Sequence, residues 1–110
     1  LIDDIYGGRI APKKVQPVQV PALPPSQEGS LKASNGNKTT LRLVNMTAEP
    51  VKVYWLDGEG KRKPYGQIEA YGRQLQNTYV SHPFILTDKN DQGLVIFVAV
   101  PGAGVGTLRR

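Results

Sequence analysis

The chain contains no cysteine among its 110 residues. That removes a disulfide framework, a thiolate metal site and a cysteine nucleophile together, and leaves secretion neither supported nor forbidden by redox chemistry. Histidine is nearly as scarce. His82 stands alone, so no multi-histidine metal site can be assembled, and no adjacent carboxylate pattern supplies the missing ligands. No apolar run approaches the roughly 18 residues of a membrane-spanning helix. No stretch sustains a helical period, and no internal repeat is visible.

What is present suits one small soluble module. Apolar residues make up 39% of the chain, and with the N-terminal stretch set aside about 80 residues remain to build a core. The formal charge of +5, from 14 Lys and Arg against 9 Asp and Glu, invites a reading of phosphate neutralisation. The basic residues are scattered as Lys13-Lys14, Arg42, Lys61-Arg62-Lys63, Arg73 and Arg109-Arg110, without the interleaved aromatics that stack bases. A solvated surface accounts for them, and no nucleic-acid partner is expected. Residue 1 is Leu, and no charged leader precedes an apolar segment, so the expectation is a mature or excised piece whose compartment stays unknown.

Five prolines fall between Pro12 and Pro25, and each removes a backbone donor and fixes its own φ. Residues 1–30 therefore read as an extended arm or linker. Val15, Val18, Val20 and Leu23 are nonetheless apolar, which leaves two readings open, a solvated linker or an arm laid along the domain.

From Leu31 to Arg110 the texture changes to short β-branched and aromatic runs separated by Gly, Asn, Asp and Pro. Strands are expected near 39–46, 51–56, 63–68, 74–80, 83–87 and 94–100. In the second, Val51, Val53 and Trp55 alternate with Lys52, Tyr54 and Leu56, the period of a strand in a sheet. The run from Gly93 to Val100 is continuously apolar and predicts a strand covered on both faces in the middle of the fold. Pro101 and the stretch Gly102 to Gly106 should end it as a flexible tail. The fold class is all-β, a small antiparallel sandwich.

Residues for catalysis are few. The glycine-rich Gly102–Gly106 stretch has no helix behind it and no phosphate-loop lysine. Asp88 and Asp91 read as solvated turn residues. Asn37 and Asn45 each open an Asn-x-Thr triplet, which would matter for glycosylation only in a eukaryotic secreted protein and otherwise reads as turn chemistry. Neither enzyme activity nor a cofactor is expected.

One constellation remains. Trp55-Leu56 is followed by an Asp57-Gly58-Glu59 turn, Pro64-Tyr65, a strand with Thr78-Tyr79, and His82-Pro83-Phe84. This pattern resembles the von Hippel-Lindau β domain, in which a Trp-Leu strand leads to an Asp-Gly-Glu turn, Pro-Tyr, Ser-Tyr and His-x-Trp at the same spacing. The likeness covers about residues 31–100. It implies a non-catalytic module that recognises 4-hydroxyproline in an extended peptide, with a prolyl hydroxylase acting upstream. Trp55 and Phe84 would wall the pyrrolidine ring, Thr78 and His82 would hydrogen-bond its hydroxyl, and Tyr65 would bond the peptide backbone. Thr78 keeps the hydroxyl of the family's serine, whereas Phe84 offers a smaller platform than tryptophan. The 110 residues show no counterpart of the helical domain that recruits a ligase adaptor in that family, so no ligase role is expected of them. Read singly, the same residues are ordinary: a core Trp, a surface His, strand Thr and Tyr. A structural or accessory sandwich without this ligand therefore stays open, as does a sugar-binding face on Trp55 and Tyr65.

Overall fold

The computed structural model describes residues 18–109; Val15 and the first prolines of the arm lie outside the described residues. Among the described residues, eight strands form two four-stranded sheets. The first contains β1 (Val18–Gln19), β2 (Lys38–Met46), β5 (Arg73–Tyr79) and β8 (Ala103–Arg109), in the order β1-β8-β2-β5. The second contains β3 (Val51–Leu56), β4 (Arg62–Ile68), β6 (Pro83–Thr87) and β7 (Gly93–Val98), in the order β4-β3-β6-β7. The expected all-β sandwich is present, with all six anticipated strands within a residue or two of their expected positions.

Alternation builds the core. Leu41 and Leu43 of β2 face Val51 and Val53 of β3, Phe84 and Leu86 of β6, and Val95 and Phe97 of β7, all buried in one cluster. Each such side chain contributes on the order of 1.5–3 kcal/mol by leaving water. The two loop systems at one end are tied by a polar hub. Asn45, fully buried, donates to the carbonyls of Glu49, Ile68 and Glu69 and accepts from the backbone and hydroxyl of Thr47. Its bond from the Thr47 amide, two residues on, is the turn chemistry the sequence suggests, and its bonds to Ile68 and Glu69 extend that turn to the loop after β4.

Two expectations need correction. The Gly102–Gly106 stretch is no flexible end: β8 runs through it, parallel to both β1 and β2 at the centre of the first sheet. Its glycines are small because the space is already filled. A Cβ on Gly106 would lie 2.5 Å from the Phe97 ring, and one on Gly104 would lie 2.9 Å from Val20. The apolar run after Gly93 is covered on both faces, yet it forms an edge strand. Its second cover is the N-terminal segment. Leu23 exchanges both backbone hydrogen bonds with Ile96, and Leu23 and Leu31 pack on Leu56, Ile85 and Ile96 over the outer face of the second sheet.

The segment between β1 and β2 is thus a strap. Val20 enters the main core, a 3-10 turn at Pro25–Ser30 crosses above β7, and Arg62 of β4 clamps Glu28 with two bonds of 2.6 and 2.8 Å. Arg62 also donates to the Asp91 carbonyl. The Asp91 side chain, in a residue with φ of 64°, accepts from Tyr54 and Lys52, so it is a junction as well as the expected turn residue. Asp88 keeps its expected place, accepting the amides of Asn90 and Gln92.

Candidate functional site

β4 and β5 are the outer strands of their sheets at the same side of the sandwich, and the inward side chains of β5, Gln74, Gln76 and Thr78, are polar. Inward-pointing Gln74 reaches across and donates to the Tyr65 carbonyl at 2.8 Å and to Gln76. Thr78 is the next inward position of β5. At that end of the sandwich the core stops, and Trp55, third on the face that begins with Val51 and Val53, is only part-buried.

His82 arrives through a tight turn. Its amide donates to the Tyr79 carbonyl, and Ser81 between them holds φ at 76°, a left-handed conformation costing about 1 kcal/mol for a residue with a Cβ. Three contacts hold it there. The Ser81 amide donates to Ala99, the Ser81 hydroxyl bonds that of Ser34 at 2.7 Å, and Ala99 donates back to the His82 carbonyl. The strap's last residues support the turn from outside. The Val80 amide donates to Asn37, and a Cβ on Gly36 would lie 2.2 Å from the Val80 carbonyl oxygen, so only glycine passes there.

The aromatic groups then meet. Trp55 donates its indole N–H to Nδ1 of His82 at 3.1 Å, with the rings stacked at 5.4 Å and 29°. Tyr65 lies 6.0 Å from Trp55, tilted by 49°, and Tyr79 lies 5.4 Å from His82. A cavity of about 150 Å³ opens among Trp55, Tyr65, Asn77, Thr78, Tyr79 and His82. Drug-sized ligands need about 300 Å³ or more, so this space suits one small ring. Thr78 is 7% exposed, and its hydroxyl has no hydrogen-bond partner among the described residues.

Four of the five sequence-derived positions, Trp55, Tyr65, Thr78 and His82, share this cavity. Phe84 does not. It is 1% exposed, belongs to the core, and stands edge-on to Tyr65 at 5.9 Å and 72°. It backs a wall and is not itself one, because β6 lies between β3 and β7 and is buried along its whole length. Trp55 and Tyr65, the rings a sugar-binding face would use, are tilted by 49° and form no common flat platform.

The VHL beta domain model matches residues 29–99. The chain belongs to this family. No curated protein matches the chain. The family match covers every strand of the VHL β domain described above from β2 to β7 and all of the cavity residues. The VHL β domain is a non-catalytic recognition domain that engages protein partners.

Three contributors to this VHL β-domain cavity escape sequence reasoning. Asn77 and Tyr79 face outward by alternation and enter the cavity only because β5 is an edge. Ser81 carries no local signal of a left-handed turn; its conformation is imposed by Ala99 and Ser34, distant in sequence. Among the described residues no group of three His, Cys, Asp or Glu is placed to hold a metal.

Proposed function

We propose that this domain is a non-catalytic module that recognises 4-hydroxyproline in an extended peptide, with Trp55, Tyr65, Thr78 and His82 in contact with the residue and Phe84 supporting Tyr65 from behind. One observation carries this reading: a nearly buried hydroxyl without a partner among the described residues sits in the same cavity as an imidazole that has one nitrogen engaged. Nδ1 of His82 accepts from Trp55, so in the neutral ring the proton is on Nε2, which is left to donate. A ligand hydroxyl can accept from Nε2 and exchange a second bond with Thr78. Proline offers neither, and buried polar groups left unpaired cost about 1–3 kcal/mol each.

The half-exposed Tyr65, 44% accessible, keeps its phenol within reach of a peptide backbone, while Gln74 anchors its main chain. The ligand's hydroxyl must be installed beforehand, which implies a prolyl hydroxylase acting on the partner. Calorimetric titration of a hydroxyproline peptide and its proline twin into the full chain tests the reading. The hydroxylated peptide should bind at least about tenfold more tightly. Equal affinities, or no binding of either by the folded protein, would leave a structural sandwich that shares the family's fold without this ligand.

A further inference from the structure

The outer face of the first sheet carries a charge pattern that neither the cavity nor the core uses. Lys38, Thr40, Arg42, Val44 and Met46 of β2 point to this side, because Leu41, Leu43 and Asn45 between them are fully buried. Register decides what stands beside them. Leu75 and Val105 flank Arg42, Arg73 and Thr107 flank Val44, and Arg109 is opposite Met46. Lys38, Arg42, Arg73 and Arg109 are all exposed, and none of them forms a salt bridge among the described residues. No Asp or Glu occurs on any strand of this sheet. The second sheet and its flanking turn are the opposite case: Lys52 pairs with Asp91, Arg62 with Glu28 and Lys63 with Asp57.

Between the cations lie apolar side chains that water covers, Leu75 at 54% and Met46 at 43% exposure, with Val44 and Val105 half-buried beside them. We infer that this face docks an acidic protein segment in which carboxylates alternate with apolar residues. Charge complementarity selects the sign: four like charges on one sheet repel one another until an anionic partner covers them. The interleaved Leu, Val and Met select a polypeptide over a nucleic acid. A phosphate backbone would satisfy the cations and leave these side chains against polar groups, and the centre of the face has no ring for base stacking. Two strand spacings by eight residue rises give a patch of about 10 by 26 Å. That is well under the ~800 Å² per partner of a stable complex, so the contact is with a short segment, and it is weak and salt-sensitive. It is independent of the hydroxyproline reading.

The test titrates four probes into the full chain by fluorescence anisotropy or cosedimentation: a labelled peptide alternating Glu and Leu, its twin with Ser for Leu, a single-stranded oligonucleotide, and phosphatidylserine vesicles. The Glu-Leu peptide should bind more tightly than the other three and weaken between about 50 and about 300 mM salt. Joint Arg42→Glu and Arg73→Glu should reduce its binding at least about tenfold, and Leu75→Ser should reduce it several-fold. Should the charge reversal unfold the chain, Arg42→Gln with Arg73→Gln takes its place with a smaller loss of the same sign. Equal binding of the Ser twin, tighter binding of the oligonucleotide or vesicles, or variants that bind like the parent would each overturn the inference.

Discussion

The indole N–H of Trp55 donates to Nδ1 of His82 across 3.1 Å, so one aromatic residue both walls the cavity and sets which imidazole nitrogen is left over. Trp55→Phe keeps a wall and removes the donor. Affinity for a hydroxyproline peptide should fall about fivefold to tenfold, the equivalent of about 1 kcal/mol for one hydrogen bond. The proline twin should change little. Equal losses for both peptides, read by calorimetry, would mean that the indole acts only through its surface.

Thr78→Val removes a hydroxyl that has no partner among the described residues, at almost constant shape in a strand position that favours β-branching. Discrimination between hydroxyproline and proline should fall about fivefold or more, and the part that rests on His82 should remain. The melting temperature should hold or rise, because a buried polar group without a partner is being replaced by an apolar one. A variant that melts much earlier than the parent would show that the Thr78 hydroxyl is engaged within the fold.

Phe84 and Gly106 test the core from two directions. Phe84→Ala should destabilise the domain by about 3–5 kcal/mol, the usual result of emptying a buried aromatic site. Gly106→Ala drives a methyl toward the Phe97 ring and should cost about 1–3 kcal/mol by overpacking. Chemical denaturation measures both. Near-parental stability of Gly106→Ala would contradict the central placement of β8.

The strap should be pH-sensitive on the acid side. The hydrogen bonds from Arg62 hold the Glu28 carboxyl below its ordinary value, and those from Tyr54 and Lys52 do the same for Asp91. Depressed native values contribute stability that is fully present above the unfolded-state values and lost as pH falls through the native ones. Protection of the Leu23 and Ile96 amides, relative to their intrinsic exchange rates, should therefore fall below about pH 4, the ordinary carboxylate range, before the core opens. Glu28→Gln should show faster exchange there already at neutral pH. Exchange that tracks global unfolding at every pH would remove the strap as a separate unit.

Much of the fold was legible in the sequence because alternation is a local property. Val51, Val53 and Trp55 against Lys52, Tyr54 and Leu56 announce a strand without knowledge of its neighbours. The cavity residues were legible through spacing, since Trp55, Tyr65, Thr78 and His82 fall at the positions of a known pattern, and these four share one cavity.

What only the tertiary structure decided was contact between distant segments. Gly104 and Gly106 look like a flexible tail until Val20 and Phe97 are seen filling the space a side chain would need. The run after Gly93 looks central because it is apolar on both faces, yet it lies at an edge and the strap supplies the second cover. Phe84 passes for a wall by sequence and proves to be core, because β6 is enclosed by β3 and β7. Sequence period reports how many faces of a strand are buried; it carries no information about what buries them, because that depends on which strands pair and where the chain returns.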